Sequence, residues 1–474
     1  MKNEQMMAEA PVRKLLLRMS LPMILVMIVN TLYNMADVFF IGRTGDALQV
    51  AALSLSSPVF SALSAFNTLI GFGGCTAVSM ALGQGNREST RKYTAFVTWG
   101  SLLVGFCLMA LQFLFMPHLI PLLGANEETS EYVKDYLQIL AIGTPVMILG
   151  GAMGNTIRAD GESKNAVIAT MVGTLLNILL DPLFISIFGW GCRGAAAATV
   201  IGNIFSCLMV LRFAAKKETF SVSLHDFTLA PAISLQVLKL GLPMAASTLL
   251  MSFSHTFANR LMVRYGNEAV AASSVSGKVS MLIPMIIMGI CMGIQPALSY
   301  AYGAKNRARL KQLTLSTGLT AVLTGTAMAA ICFLFRDTLI RAFIADDAVL
   351  ELGRRMIIGG LLPLPLYGLY QISTTYLQAV GEVRSATLTS LLRQGIIYLP
   401  VLYLMEAFLG LTGLIYTSAV TDLLSTAVSM LLALRSWRKE SSRRMNTLRE
   451  QNGCKLRKQP EPATAELAKH GAVP

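Results

Sequence analysis

The chain contains one design twice. Ile157-Arg158-Ala159-Asp160-Gly161-Glu162 returns as Leu377-Gln378-Ala379-Val380-Gly381-Glu382, an interval of 220 residues. Gly83-Gln84-Gly85-Asn86 returns at the same interval as Gly303-Ala304-Lys305-Asn306, and Leu21-Pro22-Met23 returns one residue later as Leu242-Pro243-Met244. One register therefore covers both halves, and a single duplication of this size points to two lobes of like architecture rather than to a solenoid of short repeats.

What surrounds the lobes follows from composition. Of 474 residues, 54% are hydrophobic and only 14% charged, where an ordinary soluble domain carries about 25% charged residues; the mean hydropathy is +0.58. A spanning helix needs about 20 mostly apolar residues, and the sequence offers twelve such stretches, six per repeat. Because six is even, both halves enter the membrane in the same sense. The expected fold is thus an all-α integral membrane protein, with twelve transmembrane helices in two six-helix lobes related by a pseudo-two-fold axis along the membrane normal. The expected organisation is an N-terminal segment (1–14), a first lobe (15–213), a linker (214–235), a second lobe (236–434) and a basic tail (435–474). A two-lobed membrane protein of this kind is expected to translocate a solute.

Charge sets the expected orientation. Most of the 39 Lys and Arg residues lie on the side of the N-terminus, among them Arg87, Arg91, Lys92, Lys216, Lys217, Lys305, Arg307 and Lys311, whereas the opposite loops carry Glu127, Glu128, Glu131, Asp346 and Asp347. Positive residues stay inside, so both termini are expected in the cytoplasm. The net charge of +13 is then a topology signal. Its spread over many short loops argues against a nucleic-acid surface, while the tail, with Arg438, Lys439, Arg443 and Arg444, suits anionic lipid headgroups. Seven scattered cysteines without a Cys-x-x-Cys pattern predict neither a disulfide framework nor a metal cluster. Cys192, in the turn before the sixth span, is expected to face outside, and Cys454 the cytoplasm.

Chemistry must come from charges the membrane otherwise excludes, each costing roughly 2.5–3.5 kcal/mol at depth on insertion scales. Five fall within the expected spans: Asp37, Asp181, Lys278, Arg393 and Asp422. Asn30, Asn34 and Asp37 share one face of the first span, with Tyr33 beside them. Asn177 lies one turn before Asp181, Pro182 frees a backbone carbonyl nearby, and Thr199 follows in the sixth span. Two carboxylates, an amide and a hydroxyl can hold either a proton or a hard cation. Hydrogen bonding between helices is the alternative use of the amides and of Thr199.

Thr31-Leu32-Tyr33-Asn34-Met35-Ala36-Asp37, then Asn177-Ile178-Leu179-Leu180-Asp181-Pro182, Gly161, Gly381 and Gln295-Pro296 closely resemble the multidrug and toxic compound extrusion (MATE) family, in its bacterial branches, from about Leu16 to Leu434. The resemblance implies two lobes around a central cavity, a plasma-membrane location, and export of cationic or amphipathic organic compounds in exchange for protons or sodium. It implies that Asp37, Asn177, Asp181 and Thr199 form the cation site of the first lobe, with no cofactor and no resident metal beyond a sodium ion there.

The second lobe departs from the first. Aligned by the repeat, Ala258, Ile397 and Val401 stand opposite Asp37, Asn177 and Asp181, and the seventh span offers Ser252, His255 and Asn259. His255 is a candidate for the substrate cavity or its gate, as are Asn30, Tyr33, Asn34, Met285, Met288 and Gln295. Arg393 and Asp422 are expected to form an internal ion pair. Met281, Met285, Met288 and Met292 recur at helical spacing; such flexible thioethers suit varied apolar ligands. Gly71, Gly73, Gly74, Gly289 and Gly293 are expected to let helices approach closely. The sequence has no Gly-x-x-x-x-Gly-Lys-Ser/Thr motif, so ATP is not the expected drive, and a membrane-embedded enzyme lacks a hydrolytic constellation. The nearer alternative is a flippase for a lipid-linked or polysaccharide precursor.

Overall fold

The computed structural model describes residues 2–161, 163–217, 219–341 and 347–456, with side chains described except at 2–3, 32–38, 267, 271, 275, 278–280, 339, 347–349 and 440–456. The side chains of Tyr33, Asn34, Asp37, Lys278 and Cys454 therefore lie outside the described residues.

Among the described residues every regular element is a helix. The first lobe follows a short α1 (Lys2–Glu9) and comprises α2 (Val12–Gly42), α3 (Ala47–Gly83), α4 (Arg87–Leu122), α5 (Glu127–Thr156), α6 (Ser163–Asp181) and α7 (Cys192–Ala215). The second comprises α8 (Pro231–Val263), α9 (Asn267–Gly303), α10 (Arg307–Leu334), α11 (Arg336–Arg341), α12 (Asp347–Leu361), α13 (Leu364–Ala379), α14 (Val383–Leu391) and α15 (Tyr398–Leu456). Among the described residues, ten stretches are long and apolar enough to cross a membrane. One of them, Val383–Lys439, is broken into two passes at Gly410 (φ 58°, ψ −134°), and α2, with 31 residues, adds another, making twelve. The apolar outer surface fits a lipid surround: Leu114 and Leu179 are 70% exposed and Phe408 81%, positions that in water would forgo about 1.5–3 kcal/mol each.

The duplication is visible in the backbone. Gly161 (φ 76°) and Gly381 (φ 73°) end the fourth and tenth passes alike, and Gly191 (φ 52°) matches Gly410. Asn86 Oδ1 accepts from Ser89 N at 2.9 Å to cap α4, and Asn306 Oδ1 from Arg309 N at 3.0 Å to cap α10. At the turn before each cap the first lobe has Gly85 (φ 72°) and the second Lys305 (φ 55°), a left-handed conformation that costs a non-glycine residue about 1–2 kcal/mol. Each lobe also carries one π-helical turn, Pro182–Ile187 and Leu392–Ile396, closed by Phe188 N to Leu183 O and Ile397 N to Leu392 O. Pro182 has no N–H to donate, which forces the wider turn directly after Asp181.

Each lobe has its own core. Leu137, Leu140, Ile148 and Met153 centre the first, and Ile287, Ile294, Leu313 and Ile357 the second. The second core also takes in Met7, Leu15 and Met19, and Arg309 donates to the carbonyls of Met7 (3.2 Å) and Ala10 (2.5 Å). The N-terminal residues thus clasp the lobe to which they do not belong in sequence. The stretch between the lobes docks on α4: Trp99 donates to Val222 O at 3.0 Å, Ser221 N to Thr94 Oγ1 at 3.0 Å, and Arg91 pairs with Asp226 at 2.9 Å.

The lobes meet along a seam of small residues at the end of the bundle that carries the N-terminus. A Cβ on Gly73 would lie 2.0 Å from Val237 O, one on Gly241 1.8 Å from Leu69 O, and one on Gly293 2.6 Å from Ser20 Cα. These backbones touch because no side chain stands between them. Gly71 and Gly74 allow equally close approaches, but inside the first lobe, to Ala152 and Val97.

Candidate functional site

Asn177, Asp181 and Thr199 are brought together in the first lobe. All three are at most 2% exposed; Asn177 Nδ2 lies 3.5 Å from Asp181 Oδ1 and 3.5 Å from Thr199 Oγ1. The cluster is built by the helical spacing of Asn177 and Asp181 on α6 and by α7, which Gly191 turns back against it. Gly173 and Gly202 make that return possible: a Cβ on Gly173 would lie 2.5 Å from Gly202 O. Asn177 Oδ1 is buried with no hydrogen-bond partner. A half turn of the amide exchanges its oxygen and nitrogen, so the side chain can present either to a neighbour. The described part of the cluster therefore offers carboxylate, amide and hydroxyl oxygens, the hard donors that a proton or an alkali cation needs. The Asp37 backbone belongs to α2, which packs on α6.

Two members of the cluster, Asn177 and Thr199, line a cavity of about 470 Å³ whose wall also includes Asn30, Asn67, Arg158 and Asn203. Its apolar side is a methionine-rich patch in which Met23, Phe72 and Met292 are buried, with Met27, Met244 and Met288 packed against them. Both lobes supply this patch. Of the methionine series on α9, Met288 and Met292 line the cavity, Met285 Sδ accepts from Thr31 Oγ1 at 3.1 Å, and Met281 is 54% exposed.

Other expected residues are placed elsewhere. Gln295 is buried in the seam, its Nε2 donating to Thr76 Oγ1 at 3.2 Å across the lobes. His255 is exposed on α8 and does not line the cavity. Arg393 and Asp422 meet in a two-pronged pair, Nε to Oδ1 at 2.7 Å and Nη2 to Oδ2 at 3.4 Å, with the guanidinium carbon 4.6 Å from the ring centre of Tyr367 and 5.2 Å from that of Tyr370. Cys192 is buried, not open to the outer solvent: its N–H donates to Gln49 Oε1 at 3.1 Å and its Sγ lies 3.4 Å from Gln49 O.

Arg158 is the residue that sequence reasoning passed over. It sits in a 3₁₀ turn, Ile157–Asp160, just beyond the fourth span as drawn from hydropathy, yet it is 3% exposed and faces the cavity. The signal was present in the repeat, where Gln378 occupies the matching place.

Comparison with known proteins agrees with this architecture. The multidrug export protein MepA of Staphylococcus aureus (strain NCTC 8325 / PS 47) is 29% identical over 436 residues, covering 91% of this chain and 96% of its own. A crystal structure of MATE in complex with MaL6 is similar with a TM-score of 0.87 at 24% identity, over 92% of this chain and 98% of that one. An outward-facing conformation of a multidrug resistance MATE family transporter of the MOP superfamily gives 0.86 at 24%, with the same coverage. At that identity the structures speak for the fold. The family itself is identified by sequence, because the model described as MatE matches twice, over residues 22–183 and 243–404, once in each lobe. The chain is a membrane transporter that belongs to the MatE family.

Proposed function

We propose that the protein is a secondary multidrug efflux antiporter of a bacterial plasma membrane, with both termini in the cytoplasm, exporting cationic or amphipathic organic compounds in exchange for protons or sodium by alternating access. The single observation that carries this reading is the buried Asn177–Asp181–Thr199 cluster, whose Asn177 and Thr199 line a cavity that both lobes supply. A cation bound at Asp181 and Asp37 neutralises the site, the first lobe rearranges, and the substrate leaves as the lobes rock. The relatedness to a multidrug export protein over nearly the whole chain supports the substrate class. So does the cavity, which lies in the size range of small-molecule sites and is small for a lipid-linked or polysaccharide precursor.

Because α3 ends at the seam on the N-terminal side, the positive-inside orientation puts this joint between the lobes at the cytoplasmic end. The test is efflux of a fluorescent organic cation from proteoliposomes. Asp181→Asn or Asp37→Asn should abolish gradient-driven efflux, and His255→Ala, outside the cavity wall, should largely retain it. Full transport by both Asp variants would overturn the coupling assignment.

A further inference from the structure

We propose that Arg158 forms a specificity subsite for an anionic group, so that the preferred substrates are amphipathic compounds carrying a carboxylate, including zwitterions. The inference rests on the export reading and narrows it. Among the described residues of the cavity wall, Arg158 is the one ionisable group. A guanidinium with no carboxylate beside it in that wall disfavours a purely cationic guest in contact with it and favours an oxyanion.

The geometry leaves it a hydrogen to give. Nη1 donates to Asn155 Oδ1 at 3.1 Å and Nη2 to Met292 O at 2.5 Å, and Phe72 stacks with its ring centre 5.5 Å from the guanidinium carbon. Those contacts hold the plane fixed. Nε is buried without any hydrogen-bond partner, as is the hydroxyl of Ser163, itself 2% exposed, in the same cavity. A buried N–H of a charged group that finds no acceptor is costly. A carboxylate entering the cavity supplies that acceptor once a small shift of the two side chains turns Arg158 Nε toward it, with Ser163 Oγ as a second donor. Asn67 Oδ1 and Asn177 Oδ1 in the same wall are also buried without partners, and they are acceptors. The cavity thus presents donors at Arg158 and acceptors elsewhere, a pattern that matches a zwitterion better than a simple cation.

The duplication isolates the effect. Gln378 occupies the matching position in the second lobe, so Arg158→Gln introduces a side chain the fold already accommodates there. The probes are rhodamine B, which carries a carboxylate and a delocalised cation, and rhodamine B ethyl ester, which keeps the cation and loses the anion. Equilibrium binding is read by fluorescence polarisation on the purified full chain. The wild type should bind rhodamine B about tenfold more tightly than the ester, the scale of one charge-assisted hydrogen bond. Arg158→Gln should erase that preference while leaving ester affinity within about twofold, and Arg158→Lys should keep part of it.

A wild type that binds the two probes equally overturns the proposal without reference to any variant. So does an Arg158→Gln protein that loses both probes together, the result expected if Arg158 only ties the lobes at Met292. Ester transport by the wild type in proteoliposomes reports separately on export, so loss of the preference and loss of export are distinguishable.

Discussion

Gly83 and Gly303 pack reciprocally across the lobe seam. A Cβ on Gly83 would lie 2.2 Å from Tyr300 O, and one on Gly303 would lie 2.2 Å from Met80 O. Met80 and Tyr300 are separated by the repeat interval, as are the two glycines, so the contact is its own image under the pseudo-two-fold axis. A joint of this kind lets two like lobes close at one end without a specialised lock, because the same surface serves both partners.

Bulk at that joint should therefore open it. Gly83→Ala and Gly303→Ala each force the facing backbone to give, at a cost of about 1–3 kcal/mol in the closed arrangement and much less in one where the lobes have parted at this end. Spin labels at positions 84 and 304 should report a longer distance in either variant than in the wild type, with the double variant displaced furthest. An unchanged distance distribution would show that the seam does not hold this state.

Orientation is testable at exposed sites. Cys192 cannot serve, since Gln49 covers it, but its neighbour Trp190 is 51% exposed and Leu224, in the segment between the lobes, is 64% exposed. In a cysteine-free background, Trp190→Cys should react with an impermeant thiol reagent on intact cells, and Leu224→Cys only after the membrane is opened. The reverse pattern would invert the assigned direction of transport.

The docking of the inter-lobe segment should depend on pH with a definite sign. The Ser221 hydroxyl, which donates to Asp226, and the Arg91 guanidinium beside it hold the Asp226 carboxyl below its ordinary value of 3.8. A carboxyl depressed on docking stabilises the docked form above its ordinary value and ceases to do so as pH falls through the lowered one. Protease protection of this segment should persist from neutral pH to about pH 4 and weaken below it, and Asp226→Asn should show the weak protection at every pH. Equal protection of wild type and variant at neutral pH would count against the clamp.

Much of this was legible in the sequence because it is local or repeated. The spans follow from runs of apolar residues; Asn177 and Asp181 are one helical turn apart, so any helix places them together; Gly73 and Gly293 stand at matching repeat positions and both serve the seam. Arg393 and Asp422 also meet as the spacing of two spans allows. What escaped depends on partners far away in the chain. Gln295 reaches Thr76, Gln49 covers Cys192, and Arg158 reaches the Met292 carbonyl, and no periodicity marks such pairs. Arg158 escaped for the further reason that hydropathy ends a span where a charge appears, whereas here the fold carries the charge inward on a 3₁₀ turn.

The most direct measurement of the central claim is efflux of a fluorescent amphipathic cation from sodium-free proteoliposomes under an imposed pH gradient, compared between wild type and Asp181→Asn. The account predicts export by the wild type, driven by protons alone, and none by the variant. Export by the Asp181→Asn protein at the wild-type rate would contradict a coupling role for the buried cluster, and wild-type export that needs a sodium gradient would reject the proton as sufficient.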